Sequence, residues 1–133
     1  MKKGYKQNIE ALTLENDNFR KVLYTGEHMQ LVLMTLKPLE DIGLETHSEN
    51  DQFFRFEGGT GLAIVGETEY VVADGDAVIV PANTQHNIKN TSETDDLKLY
   101  TIYSPAHHAD GIVRKTKTEA MENEAEFDGK TTE

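Results

Sequence analysis

Short apolar segments separated by Gly, Asp, Asn or Pro fill the chain between Phe19 and Tyr103. Segments of this length that are rich in Val, Ile, Leu and aromatic residues predict β-strands. Many short strands with turn residues between them are typical of an all-β sandwich or barrel. The predicted strands cover residues 19–24, 28–36, 52–56, 62–65, 68–72, 77–80, 85–89 and 97–103.

The strand at 28–36 is apolar at nearly every position, which predicts burial on both of its faces. Two short helical segments are predicted outside the strands, at 8–12 and at 118–126, the second of them solvated. A chain of 133 residues is expected to form a single domain, 1–133. Its β core is predicted at about 19–104, followed by a polar extension at 105–133.

Composition excludes several classes of function. The chain contains no cysteine, so metal ligands must come from His, carboxylate and amide groups. A formal net charge of −11 without a basic stripe argues against nucleic acid as a partner. There is no apolar run of membrane-spanning length and no hydrophobic signal segment, so we expect a cytoplasmic protein without membrane partners.

A first stretch combines candidate metal ligands with a strand and a turn. Glu45 and His47 are two residues apart, which puts both side chains on the same side of an extended segment. Gln52 follows after four residues, at the start of a predicted strand that ends in the glycine-rich turn 58–61. Donor side chains therefore lie on both sides of one connection between strands.

A second stretch places a histidine after another short strand. Gly75 is followed by five residues, then by Pro81, one residue and Asn83. Two further residues separate Asn83 from His86, and three separate His86 from Asn90. A β-barrel that brings the two stretches together would place His86 beside the donors of the first stretch.

Together the two stretches resemble the two motifs of the cupin family. The first family motif is Gly, five residues, His-x-His, three or four residues, Glu, six residues and Gly. Here Leu39 occupies the first Gly position and Gly59 the last, while Glu45 replaces the first His and Gln52 replaces the Glu. The second motif ends in Pro-x-Gly, two residues, His, three residues and Asn. This sequence differs from the second motif only at Asn83, which occupies the Gly position, where a residue with left-handed backbone angles is expected.

The resemblance implies a small jelly-roll barrel, the double-stranded β-helix of cupins, with four side chains that hold one divalent metal ion. The ligands implied position by position are Glu45, His47, Gln52 and His86. The usual cupin set is His, His, Glu and His. Here the carboxylate is at the first of these positions and a neutral amide is at the third, so the ligands still carry one negative charge. Fe, Mn, Zn, Ni and Co all remain compatible with these ligands. Because both histidines bind unprotonated, we expect metal occupancy to fall as the pH drops through about 6 to 6.5.

A substrate pocket beside this site would be walled by further aromatic residues and histidines. The candidates are Phe54, Phe56, Tyr100, Tyr103, His107 and His108. The four aromatic residues also fit a role as barrel core, and the histidine pair also fits an exposed loop. Arg20, Tyr24 and His28 either reach the pocket or lie on the surface.

Three functions are compatible with this pattern. The leading hypothesis is a metalloenzyme of dioxygenase or oxidoreductase type that acts on a small molecule. A sugar or sugar-phosphate isomerase is the second, although Arg20, Arg55 and Lys89 are scattered and form no phosphate-binding cluster. A non-catalytic binding or sensor module is the third, because no acid or base beyond the ligands is identifiable. The family also implies a homodimer, for which the apolar N-terminal strands are the predicted contact.

Overall fold

The computed structural model describes residues 1–133 and contains nine strands and two short helices. The prediction of an all-β fold with short terminal helices is confirmed. The elements are α1 (Ile9–Glu15), β1 (Arg20–Thr25), β2 (Gln30–Leu36), β3 (Asp51–Gly58), β4 (Thr60–Val65), β5 (Thr68–Ala73), β6 (Ala77–Val80), β7 (His86–Asn90), β8 (Leu97–Ser104), β9 (Val113–Arg114) and α2 (Lys117–Glu122).

The strands form two antiparallel sheets that pack as a jelly-roll sandwich. The larger sheet has the order β6-β3-β8-β2-β1-β9, and the smaller sheet has the order β5-β4-β7. The two sheets do not join through hydrogen-bonded strands into a closed barrel. Side chains of β3 alternate as predicted, so Gln52, Phe54 and Phe56 are buried between the sheets while Phe53 and Arg55 lie on the outer face.

Strand β2 is buried on both faces, as its sequence predicts. Its inner residues, such as Val32 and Met34, belong to the core between the sheets. On the outer face, the Thr35 hydroxyl donates a hydrogen bond to the Asn16 carbonyl at the end of α1 (2.6 Å). The chain's own N-terminal region therefore packs over part of the surface that was predicted as a dimer contact.

The segment 40–45 runs along the free edge of β7 and places Glu45 opposite His86. Glu45 and His86 exchange two backbone hydrogen bonds of 2.9 Å, and the Ile42 N–H donates to the Ile88 carbonyl (3.0 Å). This pairing brings the first candidate ligand beside the last one, although 40 residues separate them along the chain.

Two residues occupy the left-handed region at positions where the cupin motifs have glycine. Asn83 has a φ of 64°, which confirms the expectation for that position. Leu39 has a φ of 63°, which is unfavourable for a side chain with a Cβ. The backbone geometry of the motif is thus kept even where the glycine is not.

The C-terminal extension contributes to the sheet instead of lying apart from it. Strand β9 pairs with β1, with Arg20 opposite Arg114. Helix α2 is shorter than the predicted helix at 118–126 and ends at Glu122. The reason is that residues 125–127 are extended and bond to 107–109, through Ala109 N–H to Ala125 O (2.9 Å) and Phe127 N–H to His107 O (3.0 Å). No helix has the length and apolar character needed to cross a membrane.

Candidate metal centre

Three of the four predicted ligands meet at one end of the sandwich. The donor atoms of Glu45, His47 and His86 all lie within 4.8 Å of one another. Glu45 Oε2 and His47 Nε2 are 3.0 Å apart, and the rings of His47 and His86 have centroids 5.3 Å apart. Strand pairing positions Glu45 and His86, while His47 is two residues further along the same extended segment.

His86 is oriented as a ligand by its backbone. Its Nδ1 lies 2.9 Å from the Thr84 carbonyl, which can only accept a hydrogen bond, so the ring proton is on Nδ1. The Nε2 atom then carries a free lone pair. That atom is buried and has no hydrogen-bond partner.

Gln52 presents its oxygen in the same way. Its Nε2 donates to the Thr101 hydroxyl (3.0 Å), and this contact fixes the amide orientation. Its Oε1 is buried without a partner. Gln52 lies opposite Tyr103 on β8, and the Tyr103 ring packs edge-on against His47 at 5.8 Å, so Tyr103 is a neighbour of both Gln52 and the cluster.

Burial and neighbouring charges shift the pKa values in the direction that metal binding needs. Burial raises the pKa of Glu45, but the hydrogen bond and charge of His47 outweigh it, with help from Arg20 and His86, so the net pKa lies below its usual value. Burial lowers the pKa of His86 despite the opposing Thr84 carbonyl. At neutral pH the site therefore has an ionised Glu45 and a neutral His86.

Aromatic residues and histidines from β8 and the following turn wall the site. His107 lies against His47 with ring centroids 4.2 Å apart and stacks on Tyr103 at 5.2 Å. Burial, together with the charge of His47, lowers the pKa of His107 to about 4. Burial also raises the pKa of Tyr103, with the charge of Glu45 adding to it, so both groups are uncharged at neutral pH.

The remaining predicted pocket residues lie at different distances from the ligands. Phe54 is adjacent, with its ring centroid 6.2 Å from that of His86. Phe56 is fully buried one step further along β3 and belongs to the core. His108 is 8% exposed and contacts the Tyr103 hydroxyl at 3.3 Å, so the pair 107–108 is not the exposed loop that the sequence also allowed.

Tyr100 is not part of the site. It lies three residues from Tyr103 on β8, and because side chains alternate along a strand the two point to opposite faces of the sheet. Tyr100 packs on the outer face beside Phe53, with centroids 6.3 Å apart. The prediction that both tyrosines share the pocket overlooked this odd spacing.

Two residues that the sequence did not assign to the site help to build it. Gln30 is fully buried in β2, and its side-chain oxygen accepts hydrogen bonds from the His107 and His108 N–H groups (3.2 and 3.0 Å) while its amide donates to the His108 carbonyl (2.7 Å). A polar residue within the apolar run 28–36 was the available signal. Arg20, for which the sequence allows either the pocket or the surface, lies beside Glu45, whereas His28 has a side chain that is 92% exposed.

Two cavities open next to the ligands. A cleft of about 430 Å³ is lined mainly by polar residues, namely Thr46, His47, Ser48, Glu49, Asn50, Ala106, His107, Glu126 and Phe127. A smaller cavity of about 70 Å³ lies between Arg20, Glu45, His107, His108 and residues 124–126. His107 and Glu126 line both cavities.

The donor set fits a divalent metal ion. Two buried atoms with free lone pairs, on His86 and Gln52, have no other partner, and buried polar groups are normally satisfied. One carboxylate, two imidazoles and one amide oxygen are nitrogen and oxygen ligands that first-row divalent ions accept. The cluster of Glu45, His47 and His86 could therefore hold such an ion.

Comparison with known proteins agrees with this geometry. The family model described as "Cupin domain" matches residues 32–103, which is more than half of the chain. The chain belongs to the cupin family. This cupin is 50% identical over 112 residues to an uncharacterized protein, L612, of Acanthamoeba polyphaga mimivirus, in a match that spans 82% of the chain and 70% of L612.

Two bacterial proteins are similar as well. The uncharacterized protein YrkC of Bacillus subtilis is 44% identical over 125 residues, which span 90% of this cupin and 67% of YrkC. The crystal structure of BH2720 from Bacillus halodurans superimposes with a TM-score of 0.88 at 42% identity and covers 91% of this cupin and 96% of BH2720. The jelly-roll fold is thus shared over nearly the whole length.

Proposed function

We propose that this cupin binds one divalent metal ion through Glu45, His47 and His86, with Gln52 as a fourth ligand, and acts on a small molecule as an oxidoreductase of dioxygenase type. The observation that carries the proposal is the pair of buried atoms without partners, Gln52 Oε1 and His86 Nε2, beside the cluster. Two histidines and one carboxylate are the ligand types of Fe(II) sites that leave positions open to substrate or oxygen.

The residues of the chain have distinct roles in this proposal. Glu45 supplies the only formal charge among the ligands, so it contributes most to holding a dication. Gln52 is neutral and binds more weakly, which lets it yield its place to substrate. Tyr103 and His107 cover the ligands and keep bulk water from them.

Oxygen consumption tests the reaction type. Protein reconstituted with Fe(II) is mixed with small-molecule libraries in an oxygen electrode, with the His86→Ala variant as the control for free iron. We expect substrate-dependent oxygen uptake in the parent protein and none in the variant. Isomerisation of a sugar without oxygen uptake would favour the isomerase instead, and binding without turnover would favour the non-catalytic module.

We also propose that this cupin forms a homodimer. Because the N-terminal region packs over the outer face of β2, the predicted contact through the N-terminal strands is partly covered within one chain. Light scattering at micromolar concentration tests the dimer, and a monomer under these conditions would contradict it.

A further inference from the structure

We propose that the 70 Å³ cavity beside Glu45 binds a small carboxylate, and that Arg20 is the residue that recognises it. The inference rests on the function proposed above, because the carboxylate would belong to the substrate that the metal centre acts on. The inference is based on the Arg20 side chain, whose guanidinium lies over the Phe19 ring (5.5 Å to its centroid) but makes no hydrogen bond and no ion pair within the protein.

Arg20 differs from the other two arginines of the chain. Arg55 Nε is also buried without a hydrogen bond, but it forms an ion pair with the Glu57 carboxylate (3.2 Å). Arg114 donates two hydrogen bonds to the Asn123 carbonyl (3.0 and 2.8 Å). The Arg20 guanidinium makes no hydrogen bond and no ion pair, and its Nε is buried. A buried donor without a partner is costly, so an acceptor supplied by a ligand would be favourable.

The carboxylates around the cavity do not form hydrogen bonds or ion pairs with Arg20. Glu45 lines the same cavity, but its Oε2 is turned towards His47 at 3.0 Å. Glu124 and Glu126 also line it, yet both are exposed, and neither comes within ion-pair distance of the guanidinium. Because these two side chains are solvated, their repulsion of an incoming anion is screened.

Arg20 is the one cationic side chain that lines this cavity, and Arg114 is its neighbour on the adjacent strand. Arg20 and Arg114 are directly opposite each other on β1 and β9, a like-charge pairing that is unfavourable by itself. A bound anion would offset that repulsion. The planar guanidinium suits a carboxylate, which can accept two parallel hydrogen bonds from it.

The dimensions of the two cavities limit the ligand. About 70 Å³ holds a few water molecules or one carboxylate group, and it is too small for a sugar ring. The larger cleft of about 430 Å³, which shares His107 and Glu126 with the small cavity, has room for the rest of a small substrate. The substrate class is therefore a small carboxylic acid whose charged end faces Arg20.

Nitrogen-15 NMR of the Arg20 side chain tests the proposal without measuring activity. Acetate, the neutral isostere acetamide, and sulfate are titrated into zinc-loaded and metal-free protein, and the Arg20 Nε–H resonance is followed. We expect saturable shifts with acetate and none with acetamide. The Arg20→Gln variant, followed through neighbouring backbone amides, should bind acetate at least about tenfold more weakly, while Arg55→Gln binds it like the parent.

The outcomes separate this inference from the metal site. Zinc stoichiometry is measured in the same samples and should be the same in the parent and in Arg20→Gln. If zinc fails to bind the parent, the proposed function is wrong whatever acetate does. If zinc binds but acetate binds Arg20→Gln as tightly as the parent, or if acetamide or only sulfate shifts the Arg20 resonance, the carboxylate site is wrong.

Discussion

One wall of the site, here called the ligand wall, consists of Glu45, His47, Gln52 and His86. These residues lie on paired strands or on the extended segment directly next to them. The outer wall is formed by Arg20 on β1 together with His107, His108 and residues 124–127, and its last two parts are held by a few contacts between 107–109 and 125–127. Spacing along the sequence indicates the first wall, because each ligand has a fixed register relative to a turn. Sequence spacing cannot indicate the outer wall, because that wall depends on how the C-terminal extension folds back.

The ligand wall is tested most strongly at its single carboxylate. We expect Glu45→Gln to lower the affinity for a divalent ion by at least about 100-fold, because the only charged ligand is lost.

Gln52→Glu should keep the ion bound at least as tightly but lower turnover, because it adds a second anionic ligand and makes the ion less Lewis-acidic. Competition with a chromophoric chelator measures both affinities.

A matched control comes from the same loop. Glu49 is exposed and lines the larger cleft, so Glu49→Gln makes the same chemical change without touching a ligand. Its metal affinity should equal that of the parent. If Glu45→Gln also binds as tightly as the parent, Glu45 is not a ligand and the division of roles between positions 45 and 52 fails.

The contrast between the walls also explains how far the sequence could predict the structure. The strand segments and the residue types at 45, 47, 52 and 86 follow from local alternation and motif spacing, and the structure brings three of these side chains together. The pairing of 107–109 with 125–127 involves no regular pattern, so the helix predicted at 118–126 was too long. Tyr100 and Tyr103 are three residues apart on β8 and therefore point to opposite faces, so Tyr100 packs beside Phe53 and not in the predicted pocket.

The outer wall is tested by the pH dependence of stability. Burial, with the charge of Arg20, lowers the pKa of His108 to about 2, whereas the unfolded chain has an ordinary histidine pKa of about 6.5. Between these values the unfolded chain binds more protons, so stability falls as the pH falls below about 6.5. The loss from this group should reach about 2 kcal/mol at about pH 5.

Denaturant unfolding of metal-free protein at several pH values measures this loss. The His108→Asn variant should have a flatter pH dependence than the parent, even if it is less stable overall. The exposed His28 offers the control, and His28→Asn should leave the pH dependence unchanged. An unchanged pH dependence in His108→Asn would show that the histidine is accessible to protons in the folded protein.

The smallest expected effect concerns the backbone that leads into the ligand wall. Leu39 is 65% exposed and has a φ of 63°, so its replacement by Gly removes strain and loses little packing. After subtracting the entropy that Gly gains in the unfolded chain, we expect Leu39→Gly to stabilise the protein by about 0.5 to 1 kcal/mol. Thermal unfolding measures the change.

Leu44 provides the comparison in the same loop. It is 64% exposed but does not have a positive φ, so Leu44→Gly relieves no strain and should destabilise the protein. The two substitutions should therefore have opposite signs. Equal destabilisation by both would mean that Leu39 carries no strain.

The most direct test of the metal centre is the stoichiometry of a Co²⁺ titration, followed by the visible absorption of the bound ion at neutral pH. We predict saturation at one ion per chain in the parent and in His28→Ala, and no saturable spectrum in His47→Ala or His86→Ala. If both of these variants bind one ion with the spectrum of the parent, the ion is held elsewhere and the account of this site is contradicted.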